Sequence, residues 1–245
     1  MTAARQGSRI ALVTGAGRRV GQAIAVGLAG DGYDVAIHYH GSEAGAKETL
    51  AAVEKLGRKG MLLPADLRDA VAARGLADRT AKALGGLNAL VNSAAVMVRQ
   101  AIEEVTPESW DATLDLNLRA GFFVAQGAIP YLRGAGGKIV NIADVAAFEP
   151  WPAYVPHCVS KAGVVMLTKG LARALAPEIT VNAVAPGPVL LPEEWDEPTR
   201  RHFAETTPLQ RLGTPADVVA AVRFLLASNY ATGTVLVVDG GRLLR

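Results

Sequence analysis

Short runs of aliphatic and β-branched residues recur along the chain, separated by longer stretches of mixed polarity. The runs are IALVT from Ile10, DVAIHY from Asp34, GMLLPADL from Gly60, LNALVNS from Leu87, GKIVNIAD from Gly137, ITVNAVAPG from Ile179 and TVLVVDGG from Thr234. Between them, sets such as Val20, Ile24, Leu28 and Leu114, Leu118, Phe122 repeat at helical spacing. The alternation predicts an α/β fold, a doubly wound parallel sheet of seven strands with helices on both faces. The near-continuous apolar character of IALV, KIVNI and VLVV agrees, because strands covered on both sides have no solvent face to keep polar.

A chain of 245 residues in this pattern is expected to form one domain over residues 1–245. Its least regular part runs from Pro186 to Pro208, with five prolines and clustered charge around Trp195. That stretch predicts a loop with a short helix, a substrate loop over about 187–208. A formal net charge of +2 without a basic block offers no footprint for nucleic acid or a membrane surface. The expected partner is a small molecule. One cysteine, Cys158, excludes an intrachain disulfide, and the opening residues carry no secretory pattern, so a cytoplasmic location is expected. Nothing in the sequence suggests a metal site.

The first apolar run leads into TGAGRRVGQAIA, a glycine-rich turn opening a helix. Gly15 and Gly21 permit close backbone approach, and the N–H groups of the helix start, from Val20 onward, suit a pyrophosphate. Arg18 and Arg19 add cationic donors. The second run ends in HYHGS without the carboxylate that would hydrogen-bond a ribose 2′-OH and repel a 2′-phosphate, which favours NADP over NAD. His38, Tyr39, His40 and Ser42 lie there. The two histidines and the serine are candidate phosphate donors, or else ordinary strand-end residues. Asp66, followed by Leu67, is placed to accept from an adenine amino group or to cap a helix.

In order and spacing, TGAGRRVG, ADL, VNSAA, LDLNL, KIVNIADVAA, SKAG, VNAVAPGPV and VDGG resemble the short-chain dehydrogenase/reductase family over nearly the whole chain. Within it the chain is most similar to the pteridine reductases, with an arginine for the middle glycine of the turn, HYH closing the second strand and an aspartate at the usual serine place. The resemblance implies a Rossmann-type fold, NADPH/NADP as cofactor and a homotetramer. It places Asn92, Ser93, Ala94, Lys161, Pro186, Gly187 and Val189 beside the cofactor, and Ala95, Met97, Pro188 and Trp195 beside a substrate. It implies a catalytic set of Asn117, Asp144, His157 and Lys161, with Asn117 organising a water beside the lysine and Lys161 holding the nicotinamide ribose.

His157 stands four residues before Lys161, where the family has tyrosine, and Asp144 lies thirteen residues before His157. An imidazole, titrating near 6.5 in its free state, can serve as an acid where a phenol near 10 needs help. Tyr154 is an alternative donor, although Pro156 predicts a helix that starts after it. Cys158 points away from its neighbour around a helix and suits a small buried role. The expected function is NADPH-dependent hydride transfer to a C=N or C=O bond, a dihydropterin or dihydrofolate being the leading substrate. A ketone or alcohol oxidoreductase and a catalytically impaired NADP-binding protein are the alternatives.

Overall fold

The computed structural model describes residues 9–191 and 195–244. Seven strands form one parallel sheet in the order β3-β2-β1-β4-β5-β6-β7. They are β1 Arg9–Val13, β2 Tyr33–Tyr39, β3 Gly60–Pro64, β4 Ala89–Asn92, β5 Lys138–Ile142, β6 Thr180–Pro186 and β7 Val235–Val238. Each lies within its anticipated apolar run or overlaps it. The chain reverses its direction of travel across the sheet between β3 and β4, so the carboxyl ends of β1 and β4 border a crevice.

Helices α1 (Arg19–Gly30), α2 (Glu43–Lys55) and α8 (Pro215–Ala227) bury Ile24, Leu28, Val53, Val218 and Val222 on one face of the sheet. Helices α3 (Ala70–Leu84), α5 (Ala120–Leu132) and α6 (Val155–Leu175) bury Leu76, Val124, Ala128, Ala172 and Leu175 on the other. Every residue of β2 is buried. With both faces covered, polar alternation has no place in that strand.

Helix α4 (Pro107–Leu114) runs into α5 through a π-helical turn at Asp115–Arg119, where the N–H of Ala120 reaches the carbonyl of Asp115. The extra residue resets the helical face. Leu114, Leu118 and Phe122 therefore do not share one buried stripe: Phe122 is exposed, and the buried face carries Thr113, Asn117, Ala120 and Val124 instead. The stretch 187–208 contains α7 (Glu197–Glu205), capped by Asp196, whose side chain accepts the N–H of Thr199. Residues 192–194 of that stretch lie outside the described residues. Among the described residues no helix is long and apolar enough to cross a membrane.

Candidate active site

The turn after β1 has no room for side chains at two glycines. A Cβ on Gly21 would lie 2.3 Å from the carbonyl oxygen of Gly15, and one on Gly15, at φ 65°, would lie 2.8 Å from Cα of Ala94. The turn is thereby pressed against the end of β4, where the hydroxyl of Thr14 accepts the N–H groups of Ser93 and Ala94 at 2.9 and 3.1 Å. Asn92 donates from Nδ2 to Asn141 Oδ1 at 3.0 Å, while its own Oδ1 is buried without a partner. At the other rim Gly187, whose N–H donates to Val238, sits so close to Asp239 that a Cβ would meet its Cα at 2.8 Å. Backbone surfaces brought this near each other, with the start of α1 opening into them, fit a dinucleotide pyrophosphate.

His38 is not among the phosphate donors. Its ring is buried at the end of β2, with Nδ1 accepting the N–H of Gly15 at 3.1 Å and Nε2 donating to the Ala65 carbonyl at 3.1 Å. Burial pushes its pKa down to about 4, the bond to Ala65 opposing only in part. His38 is a neutral brace of the glycine turn, and this corrects the sequence expectation. Tyr39 is buried as well. His40 is exposed just beyond the strand. Ser42 is half-buried before α2, with its hydroxyl against Gly17.

Arg18 and Arg19 part company. Arg18, exposed, occupies the N-cap of α1. Arg19 takes the left-handed region at φ 54°, and its guanidinium donates to the carbonyl of Leu190 beyond β6. Asp66 caps no helix, since Asp69 fills that place for α3; its carboxylate is held by Arg68, at 2.6 Å between Nη2 and Oδ2. The Arg68 hydrogen bonds lower the Asp66 pKa to about 2. Leu67 is buried, as are Pro186 and Val189; Val20 and Pro188 are half-buried, and Ala95 and Met97 are exposed. Trp195 leans on Phe203 of α7, ring centroids 4.9 Å apart.

The chemistry gathers where β5 ends and α6 begins. Pro156 in the first turn of α6 fixes the helix start and leaves Tyr154 in the preceding 3-10 turn, its ring edge-on to Trp151 with centroids 6.0 Å apart. His157 and Lys161 follow at i and i+4, both buried. Lys161 donates to the Ile142 carbonyl at 2.8 Å; burial pushes its pKa down, and the Asp144 charge pulls it back up. Asp144 keeps about a quarter (24%) of its side chain exposed. Its Oδ1 accepts the N–H of Ala146 at 2.8 Å, and Oδ2 lies 3.7 Å from Nε2 of His157. That Nε2 is buried without a hydrogen-bond partner. The indole of Trp151 stacks nearly parallel to the imidazole, 11° between planes and 6.4 Å between centroids.

Asn117, brought inward by the π turn, is spent on protein groups. It accepts the N–H of Val96 at 2.8 Å and donates to the Val96 carbonyl at 2.9 Å and to Ser160 Oγ at 3.0 Å. Its side chain in this structure holds the Val96 peptide and Ser160. Sequence reasoning missed Val96, whose carbonyl also lies 3.2 Å from His157 Nδ1, because its contribution comes from the peptide group. It also missed Arg68 and Trp151.

An open parallel sheet with a glycine-turn crevice and a buried His-Lys pair beside a carboxylate defines an oxidoreductase of the dinucleotide-binding α/β class. Residues 15–242 match the family described as Enoyl-(Acyl carrier protein) reductase. The chain is 35% identical over 242 residues to 3beta-hydroxysteroid dehydrogenase 1 of Eggerthella lenta, covering 95% of this chain and 93% of that one. It is 33% identical over 240 residues to a 3-oxoacyl-(acyl-carrier-protein) reductase of Staphylococcus aureus, covering 96% and 98%. The solved structure of a short chain dehydrogenase from Burkholderia cenocepacia in complex with NADP superposes with a TM-score of 0.90 at 38% identity, covering 97% and 98%. The chain belongs to the short-chain dehydrogenase/reductase family of oxidoreductases.

Proposed function

We propose that the protein is an NADPH-dependent reductase of a C=O or C=N bond in a small molecule, with Asp144 as the group that meets the substrate and His157 behind it. The single observation that carries the reading is the pairing of a partly exposed Asp144 carboxylate with the buried Nε2 of His157 at 3.7 Å. When bound, NADPH supplies the hydride. Asp144 delivers a proton to the substrate heteroatom as the carbon is reduced; the imidazolium form of His157 passes its Nε2 proton to the carboxylate left behind, and solvent reaching the partly exposed Asp144 restores that proton afterwards. Lys161 is buried, and the nearby Asp144 charge favours its ammonium form against the effect of burial.

The cofactor choice is supported by the second strand, which ends without a carboxylate at His38–Ser42, and by the NADP complex of the Burkholderia relative. The expected donation by His38 is withdrawn, leaving Arg18, His40 and Ser42 as candidates for the 2′-phosphate. The relatives named for a 3beta-hydroxysteroid and a 3-oxoacyl group favour a carbonyl substrate. A dihydropterin or dihydrofolate C=N bond is the second reading, favoured by Asp144 itself, since a carboxyl group pairs naturally with a ring nitrogen.

Anaerobic mixing with NADPH and a panel of ketones, 3-oxoacyl thioesters, dihydropterins and dihydrofolate, followed by nicotinamide absorbance, tests the proposal. Turnover of a ketone or thioester alone removes the second reading. NADPH binding without turnover of any compound that fits the crevice would leave a binding protein. The assembly we propose is a homotetramer: Phe122 and Met166 leave apolar surface on α5 and α6, as do Phe224 and Val237 on α8 and β7. Surfaces of this kind suit contact between copies.

A further inference from the structure

We propose that Asn117 is a positioning residue that fixes the tautomer of His157 through the Val96 peptide, so that the imidazole exchanges its proton at Nε2. The proposal rests on the assignment of His157 and Asp144 as the proton path.

Asn117 and Val96 close a ring of two hydrogen bonds: the Val96 N–H donates to Oδ1 at 2.8 Å, and Nδ2 donates to the Val96 carbonyl at 2.9 Å. This pairing decides which way the carboxamide faces, because the flipped form would set donor against donor and acceptor against acceptor. The second hydrogen on Nδ2 goes to Ser160 Oγ at 3.0 Å, and the Ser160 hydroxyl in turn donates to the His157 carbonyl at 2.7 Å. Nδ2 also lies 3.5 Å from His157 Nδ1, but both its hydrogens are already committed. What Nδ1 meets at 3.2 Å is the oxygen of Val96, which can only accept. Nδ1 therefore carries a hydrogen in every state of the ring.

At the opposite end, Nε2 faces Asp144 Oδ2 at 3.7 Å, longer than a made hydrogen bond. A proton leaving Nδ1 would forfeit a formed bond and set a lone pair against a carbonyl. A proton leaving Nε2 gives up only the longer contact and moves toward the carboxylate. Lys161, one turn along α6, bonds the Ile142 carbonyl and claims neither ring nitrogen. Asn117 thus acts two groups away from the chemistry, by keeping the Val96 oxygen where Nδ1 needs it. The π turn Asp115–Arg119 is what delivers Asn117 to that peptide.

Nitrogen-15 NMR of protein labelled in histidine, with the His157 signals identified by their loss in His157→Gln, reads the tautomer without any substrate. In the wild type the neutral ring should show a protonated Nδ1 and a bare Nε2. Asn117→Leu, which fills the space but cannot hold the peptide, should give a mixture of tautomers and lower turnover by about 2–10-fold, with NADPH affinity unchanged. Asn117→Asp, which still accepts the Val96 N–H, should keep more of the wild-type tautomer than the leucine variant does. A wild-type ring protonated at Nε2 when neutral would overturn the proposal, and this reading needs no variant to fold. An unchanged tautomer in folded Asn117→Leu would overturn it equally. If the tautomer behaves as stated and no substrate is ever reduced, the functional reading fails and the assignment of Asn117 stands.

Discussion

His38 accepts the backbone N–H of Gly15 on its Nδ1 at 3.1 Å, so a side chain from the second strand holds the turn that follows the first. Its pKa is lowered from 6.5 to about 4 by burial, and the unfolded chain therefore binds the proton that the folded chain refuses between those values. The stabilisation is complete above pH 6.5 and is lost as pH falls toward 4, an effect of up to about 3 kcal/mol. Thermal melts from pH 7 to 4 should show a falling Tm, and His38→Gln should flatten that slope while lowering stability at pH 7. A wild-type slope that the variant leaves untouched would assign the acid sensitivity to other groups.

Asp144→Asn and His157→Ala should each lower kcat by about 10²–10⁴-fold on the true substrate, with NADPH affinity nearly unchanged. Asp144→Asn should be at least as damaging, because the Asp144 carboxylate is the exposed member of the pair. Steady-state kinetics beside cofactor titration check both. Full turnover in the His157 variant would move the proton source to solvent acting through Asp144.

Gly21→Ala should weaken cofactor binding, since the new methyl would meet the Gly15 carbonyl and the turn would have to open. Overpacking of this kind costs about 1–3 kcal/mol, or roughly 5–150-fold in affinity where the turn itself is the binding surface. Nicotinamide fluorescence measures it; Gly30→Ala, at the far end of α1 with nothing closer than 3.7 Å, is the control.

NADPH should bind more tightly than NADH by about 10–100-fold, the worth of one or two charge-assisted contacts to the 2′-phosphate. Arg18→Ala should narrow that ratio. Arg19→Ala should not, because the Arg19 guanidinium is turned toward Leu190. Competitive titration of both cofactors against each variant decides it, and a ratio set by Arg19 would contradict the placement described.

The central strands were legible because burial on both faces of a parallel sheet writes itself as unbroken apolar runs, and the start of α6 because proline is favoured in a first turn, where Pro156 stands. The same double burial hid the direction of His38, since alternation carries no information in a strand with no wet face. The stripe from Leu114 through Phe122 misled because period reasoning assumes 3.6 residues per turn, and the turn at Asp115–Arg119 breaks that count. Asp144, His157 and Lys161 were visible only through the resemblance to the family, whose spacing they keep. What spacing could not convey is that one is partly exposed and two are buried.

Val96 serves the site with its peptide atoms alone, and that has a consequence for how the position tolerates change. Alanine, isoleucine or threonine would present the same N–H to Asn117 and the same oxygen to His157. A saturation library read by activity should therefore find position 96 permissive, with a single sharp exclusion. Proline has no N–H to give the Asn117 oxygen, and it alone would cut the bond that no side chain can replace.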